Sequence, residues 1–276
     1  MFVIALILAL PIGLSLGLLC GGGGMLMLPL LVYVLGVDPA EAAAASLFIV
    51  GITSAVALVP HARAGRLNLR VGIRVAGAGF LAAFVGGRVG SFVPRELLLT
   101  GFGLLMLGTA SVLWRGRITQ AAIARSNTRL LVAGLCVGFV SGLLGAGGGF
   151  LIVPALILVG GLTAPVAVGT SLLVVTVQAI AGFLGHASHA LPDPVLVGAL
   201  VCMTVTGTLI GTTLSPKLSP RTLRRAFAAL VAGVALMVFS LELPWGATVV
   251  LIVGLSLALF QAQRRSGVAV HTSAAS

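Results

Sequence analysis

Residues 13–31 read GLSLGLLCGGGGMLMLPLL, and residues 138–156 read GFVSGLLGAGGGFLIVPAL. The two stretches align without a gap, because Pro29 corresponds to Pro154 and the shift is 154 − 29 = 125 residues. At this shift the glycine triplets, one serine and one histidine also coincide: Gly22–Gly24 with Gly147–Gly149, Ser46 with Ser171, and His61 with His186. An internal duplication in an apolar chain is typical of a secondary transporter whose binding site lies between the repeats.

The composition is that of a membrane protein. Of the 276 residues, 59% are hydrophobic and 8% are charged, and the mean hydropathy is +1.23. A soluble domain carries about 25% charged residues. Residues 1–37 and 130–192 contain no Asp, Glu, Lys or Arg, and uncharged apolar runs of this length predict membrane helices. The chain is therefore predicted to be an all-α polytopic membrane protein without a sizeable soluble domain.

The charged residues argue against two other classes of function. The net charge of +11 comes from basic residues in short connections between apolar runs, with almost no aromatic residues among them. This distribution is typical of cytoplasmic loops and does not indicate a nucleic-acid interface. No CxxC pair or His/Cys spacing typical of metal ligands occurs, so neither a metal site nor a cofactor is expected. The five acidic residues lie at segment ends, which favours an anion over a cation as substrate.

Proline, glycine and charge divide the chain into nine apolar segments. They span residues 2–36, 39–60, 71–92, 97–114, 130–160, 164–186, 195–214, 226–241 and 246–263. The predicted organisation is a first transmembrane repeat over 1–117, a basic cytoplasmic linker over 118–129, a second transmembrane repeat over 130–242, one extra transmembrane helix over 243–263, and a cytoplasmic tail over 264–276.

Segments 2–36 and 130–160 are too long for one straight transmembrane helix. A helix of about 35 residues is about 52 Å long, whereas the hydrocarbon core is about 30 Å thick. Each segment is therefore either one span with a broken extension or a hairpin bent at its glycines. Of the 14 basic residues in the loops and segment flanks, seven fall on each side of the membrane with single spans, whereas with hairpins 13 fall on one side and Arg95 alone on the other. The positive-inside rule favours the hairpins.

The hairpins predict two homologous halves that are inverted repeats. Each half is a Gly-rich helical hairpin followed by three transmembrane helices. The N-terminus is then expected outside and the C-terminus in the cytoplasm, while the hairpin arms are either re-entrant or short full spans. The Ala-, Gly- and Arg-rich composition indicates a bacterial protein and hence the cell inner membrane.

Both halves carry one motif, G-x-x-x-G-L-L-x-x-G-G-G-x-x-x-x-P, over residues 13–29 and 138–154. A small-residue helix with a T/A-S pair follows, Ala45-Ser46 in the first half and Thr170-Ser171 in the second. This pattern resembles the TauE/SafE family of sulfite exporters, and the resemblance covers most of residues 5–260. It implies a membrane transporter of sulfite, sulfoacetate or related organosulfur anions. The halves depart from each other at two places, Cys20-Gly21 against Gly145-Ala146 and Ala45 against Thr170.

The glycine clusters are the first candidates for an anion site. The candidate substrate-binding residues in the bends are Gly22, Gly23, Gly24, Gly147, Gly148 and Gly149. A helix that begins after a glycine bend directs free N–H groups and its positive dipole end into the gap, and two opposed bends would bind a small oxyanion without a buried lysine. The alternative is that glycine only permits close helix packing, which we prefer for the spaced pairs Gly13/Gly17 and Gly138/Gly142.

Polar residues in segments 39–60 and 164–186 complete the predicted substrate site. They are Ser46, Thr170, Ser171 and Gln178. The hydroxyls either donate to an oxyanion or bond back to a carbonyl one turn earlier. The Gln178 amide needs a partner in lipid, so this side chain is expected to face the protein interior.

The two equivalent histidines, His61 and His186, lie at the ends of their segments. Histidine titrates near neutral pH, so they are candidates for gating or proton-linked groups, with interfacial anchoring of the helix ends as the alternative. Inverted halves would place them at opposite faces, which excludes one shared metal site.

The secondary candidates are Cys20, Thr53, Ser54 and Arg88. Cys20 adjoins the tetraglycine, Thr53 corresponds to Gln178, and Arg88 either snorkels to the outer interface or counters an anion in the pathway. The other two cysteines, Cys136 and Cys202, are interpreted as buried small hydrophobic side chains.

These observations predict a non-enzymatic secondary transporter that moves a small anion by alternating access in the lipid bilayer. Sulfite or an organosulfonate is favoured through the resemblance, and proton coupling rests on the paired histidines. The alternatives are a transporter of another small anion or of a metal ion, a non-transporting channel or scaffold, and a membrane enzyme built around Cys20. A homo-oligomer is compatible with the sequence.

Overall fold

The computed structural model describes residues 2–19, 24–115, 127–145, 147–186, 192–214 and 220–242. The regular secondary structure of these residues is helical: α1 (Phe2–Leu19), α2 (Gly24–Pro29), α3 (Pro39–Arg63), α4 (Leu69–Gly90), α5 (Arg95–Arg115), α6 (Asn127–Leu144), α7 (Gly149–Leu158), α8 (Ala164–Gly185), α9 (Pro194–Leu214) and α10 (Pro220–Glu242). A π-helical segment, Leu30–Val34, continues α2. The predicted extra helix over 243–263 and the tail lie outside the described residues.

The duplication seen in the sequence extends to every one of these helices. α1 begins at Phe2 and α6 at Asn127, and 127 − 2 = 125. The starts of α2 and α7, α3 and α8, α4 and α9, and α5 and α10 differ by the same 125 residues. Each half therefore contains five corresponding helices in the same order.

Five of the described helices are long and apolar enough to cross a membrane. They are Pro39–Arg63, Leu69–Gly90, Asn127–Leu144, Pro165–Gly185 and Pro194–Leu214. The predicted all-α polytopic membrane class is confirmed. Shorter apolar helices, among them Phe2–Leu18 and Gly24–Val34, belong to the segments for which the sequence predicts hairpins.

The second long segment folds back on itself. Ser141 of α6 lies against Gly148, immediately before α7. Further along, Leu130 of α6 and Leu156 of α7 line one small cavity. The first long segment is arranged in the same way, since Leu8 of α1 and Val34 at the end of the π-helical segment line a common cavity of about 230 Å³. Each segment thus forms a hairpin rather than one straight helix.

The first helix of each half packs on the fourth helix of the other half. Gly138 of α6 lies against the backbone of Gly79 in α4, and Gly142 lies against Ala83 one turn further on. The residue numbers rise together, so α4 and α6 run parallel. In the equivalent contact, Gly13 and Gly17 of α1 lie against Thr204 and Thr208 of α9.

Side chains at these glycine positions would collide with the neighbouring backbone. The structure therefore supports packing as the role of the spaced glycine pairs.

The corresponding helices α3 and α8 cross in the antiparallel sense. Leu47 of α3 lies against Gly182 of α8, and towards the other end of the pair His61 lies against Gly169. Between them, Gly51 packs on Ala179. The centre of the described structure is thus a pair of equivalent helices that run in opposite directions.

Two local expectations are wrong. Cys136 and Cys202 are exposed on the helix surfaces and not buried, because the lipid-facing side of an apolar helix is as hydrophobic as its packed side. The segment predicted over 226–241 begins at Pro220, since proline suits the first turn of a helix.

The packing contacts predict different effects for two glycines of α4. A Cβ at Gly86 would meet the Phe139 carbonyl of α6, whereas one at Gly77 would meet nothing within 4 Å. We expect Gly86→Ala to lower the free energy of unfolding by about 1–3 kcal/mol through overpacking. Gly77→Ala should leave it unchanged or raise it by up to about 1 kcal/mol through helix propensity. Denaturant unfolding of the purified protein in detergent measures both, and equal effects would contradict this packing.

Candidate functional site

The tip of the second hairpin is a buried glycine bend that starts a helix. Gly145, Gly147 and Gly148 have φ values of +66°, +67° and +60°. Only glycine adopts this left-handed conformation readily. α7 begins at Gly149, and its N-cap, Gly148, provides no side chain to cap the first N–H groups. The end of α7 therefore offers backbone donors and the positive end of a helix dipole inside the protein.

This bend crosses the face of α3 that carries Ser46. A Cβ at Gly145 would meet Ala43, and one at Gly147 would meet Val50. Ser46 lies between these two contacts on the same face of α3. Its side chain is fully buried, and its hydroxyl has no hydrogen-bond partner among the described residues. A buried hydroxyl without a partner is uncommon and calls for an explanation.

A second hydroxyl lies beside the start of α7. Ser141 of α6 contacts Gly148 and is 1% exposed, and its Oγ likewise has no partner among the described residues. Ser141 is a candidate site residue that reasoning from the sequence missed. The equivalent residue in the first half is Leu16. A search for polar residues shared by both halves therefore finds Ser46 but not Ser141.

Thr170 and Ser171 are not brought to this bend. The Thr170 hydroxyl accepts a hydrogen bond from the Asn68 backbone N–H at 3.0 Å. The Ser171 hydroxyl donates to the Val168 carbonyl at 2.7 Å, which is the back-bonding alternative. Because α3 and α8 are antiparallel, Ser46 lies towards one end of the pair and Ser171 towards the other.

Gln178 is buried, as expected, near the crossing of α3 and α8. Its Nε2 donates to the Gly134 carbonyl at 3.4 Å and packs against Gly79, while its Oε1 has no partner among the described residues. At the equivalent contact between the halves, Thr53 of α3 and Thr204 of α9 form a hydroxyl pair at 3.2 Å. The large Gln178 paired with Gly79 thus corresponds, under the repeat, to two threonines of medium size.

The remaining candidate residues, as far as the structure describes them, are not among the contacts of the glycine bend of the second hairpin. Ser54 is buried beside Thr53, and its hydroxyl has no described partner. Arg88 is exposed, with its guanidinium carbon 5.7 Å from the centre of the Phe92 ring, which fits the snorkelling alternative. Gly24 begins α2 and is buried. Cys20, Gly22 and Gly23 lie outside the described residues.

The two histidines make the same contact in their separate places. His61 Nδ1 lies 3.0 Å from the Ala57 carbonyl, and His186 Nδ1 lies 3.0 Å from the Gly182 carbonyl. His186 is fully buried against Gly87, whereas His61 is partly exposed. They lie at opposite ends of the α3–α8 pair and do not form one site. Within the described part of the chain, no group of three His, Cys, Asp or Glu side chains could hold a metal ion.

Comparison with known proteins identifies one family. The profile of the family described as "Sulfite exporter TauE/SafE" matches residues 5–238. A "Probable membrane transporter protein" of Xylella fastidiosa (strain 9a5c) is 36% identical over 203 residues, which cover 71% of this chain and 78% of that protein. The "Probable membrane transporter protein YdhB" of Bacillus subtilis (strain 168) is 28% identical over 205 residues, covering 71% of this chain and 83% of that one. No solved structure matches.

Proposed function

The chain belongs to the TauE/SafE sulfite exporter family of membrane transporters, and from this premise we propose that it moves a small sulfur-containing anion. Sulfite or an organosulfonate is the proposed substrate. The negative charge is held at the N-terminal ends of the hairpin helices, and access alternates between the two faces of the membrane. The two relatives are described as probable membrane transporter proteins, which supports transport rather than enzymatic chemistry.

One observation carries the anion proposal: the uncapped start of α7 lies beside buried hydroxyls that have no described partner. Backbone N–H groups at a helix start and serine hydroxyls are all donors, so together they suit the oxygens of an anion. Ser46 and Ser141 would donate from two sides. The same groups offer a metal ion only weak neutral ligands.

The acidic residues support an anion as well. Asp38 caps α3 by accepting from the Ala40 N–H at 2.9 Å, and Asp193 caps α9 by accepting from Val195 at 2.9 Å. Glu41 and Glu96 lie in the first turns of α3 and α5. These carboxylates complement helix dipoles at the helix ends and are not placed along the membrane interior as cation ligands.

Alternating access is proposed from the relation between the halves. The equivalent helices α3 and α8 run antiparallel, and α1 and α6 each pack on the opposite half. This arrangement supports inverted repeats, in which rocking one half against the other would exchange an outward-facing for an inward-facing state. We place the N-terminus outside and the C-terminus in the cytoplasm of a bacterial inner membrane.

The anion proposal predicts selective stabilisation of the purified protein. Sulfite and small sulfonates should raise the thermal midpoint more than acetate or chloride, because a ligand at 100 times its dissociation constant adds about 2.7 kcal/mol. Proteoliposomes should then show saturable sulfite uptake. Sulfite flux that never saturates would favour a channel. Stabilisation by a metal ion alone would favour a cation transporter. If the protein shows neither ligand binding nor flux, the scaffold alternative remains.

The inverted arrangement predicts opposite accessibility for two equivalent residues. Asp38 and Thr163 precede α3 and α8, correspond under the 125-residue shift and are both exposed. In a chain with its three native cysteines replaced by alanine, Asp38→Cys should react with an impermeant maleimide from outside. Thr163→Cys should react only after the cells are opened. Labelling of both from one side would contradict inverted halves.

Proton coupling predicts a pH dependence of flux that requires the histidines. His61→Gln and His186→Gln should each weaken the stimulation of sulfite flux by a proton gradient, because glutamine preserves hydrogen bonding but cannot titrate. Flux driven by a sulfite gradient alone serves as the control, with size-exclusion chromatography to verify folding. Unchanged stimulation in both variants would remove the proton-linked role and leave anchoring of the helix ends.

A further inference from the structure

We infer that only the second hairpin binds the anion, and that the site selects a single, singly charged oxyanion. The inference rests on the proposed function and deepens it. The site consists of the start of α7 at Gly147–Gly149 with the hydroxyls of Ser141 and Ser46. In the first hairpin, Leu16 stands in place of Ser141 within a buried apolar cluster, and we infer that this hairpin does not bind the charge.

At the second hairpin, three elements supply donors: α6 and α7 of the second half and α3 of the first half. α7 is ten residues long and begins without a side-chain cap. Ser141 of α6 is 1% exposed and Ser46 of α3 is 0% exposed, and neither hydroxyl has a partner among the described residues. Ser141 contacts Gly148, and Ser46 lies on the stretch of α3 that the glycine bend crosses. Burying both hydroxyls without partners costs stability, so a ligand oxygen is the reason to keep them.

The first hairpin lacks available donors at the equivalent positions. Leu16 corresponds to Ser141 and lies in a buried apolar cluster with Ala57 and Leu172. Ser171 of α8 corresponds to Ser46, but its hydroxyl already donates to the Val168 carbonyl. Both hairpins therefore keep the same glycines and proline, while the Ser141 hydroxyl has no counterpart and the counterpart of Ser46 is already bonded.

The charge of the site sets the charge of the ligand. Residues 130–192 contain no Asp, Glu, Lys or Arg, and the contacts of the bend on α3 are Ala43 and Val50. Neutral donors can solvate one buried negative charge, but a second charge without a cation would carry a large desolvation penalty. A sulfonate, with one charge on three oxygens, fits this site better than sulfate.

The experiment compares serine variants in the full-length protein, with methanesulfonate and sulfate as probes. Titration calorimetry should give one methanesulfonate per chain, bound at least tenfold more tightly than sulfate. Ser141→Ala and Ser46→Ala should each weaken methanesulfonate binding about ten- to hundredfold, which corresponds to the loss of one hydrogen bond to a charged group. Without ligand, both variants should unfold at the same temperature as the parent or higher, since a buried hydroxyl without a partner has been removed.

Ser15→Ala is the matched control. Ser15 adjoins Leu16 in the first hairpin, and its hydroxyl is bonded to the Ile12 carbonyl at 2.7 Å, so its removal should leave binding unchanged within twofold. Two sites per chain, sulfate binding as tightly as methanesulfonate, or unchanged binding in both Ser141→Ala and Ser46→Ala would overturn the inference while the transport proposal stands. A parent protein that binds neither methanesulfonate nor sulfite would overturn both.

Discussion

Close contact between helix backbones at glycine is the constraint on which the rest of this structure depends. Lipid tails are as apolar as leucine, so membrane helices associate through tight packing rather than through burial of apolar side chains. Gly138 and Gly142 bring α6 onto α4, and Gly13 and Gly17 bring α1 onto α9. Both contacts join one half of the chain to the other. Neither half therefore packs as an independent unit.

The packing of α1 and α6 on the opposite half determines where the tips of the hairpins lie. Once α6 is held against α4, the bend after it is carried across α3, and α7 starts against Ser141 and near Ser46. Backbone and hydroxyl groups buried in a membrane protein need partners inside the protein. Buried donors without a described partner support the proposed anion site more directly than a cavity would, because each lowers the stability of the protein unless a ligand oxygen accepts from it.

Much of the fold could be predicted from particular residues, and less of the site. The alignment of Pro29 with Pro154 anticipated the common 125-residue spacing of the helices. The repeat also suggested that Ser46 and Ser171 belong to one site, but they lie towards opposite ends of the antiparallel pair α3 and α8. It could not propose Ser141, whose equivalent is Leu16. Reasoning from the repeat detects what the two halves share, and it misses a buried hydroxyl that only one half carries.

The sequence by itself determined the membrane class, the duplication, the long segments that fold back, and the positions where only glycine allows close packing. These follow from local composition and spacing, because hydrocarbon thickness and the lack of a Cβ act on each segment separately. Only the tertiary structure decided which helices cross, that α3 and α8 oppose each other, and which hydroxyls meet the start of α7. Those facts arise from contacts between residues far apart in the chain, and no local pattern encodes which distant surface a given face will meet.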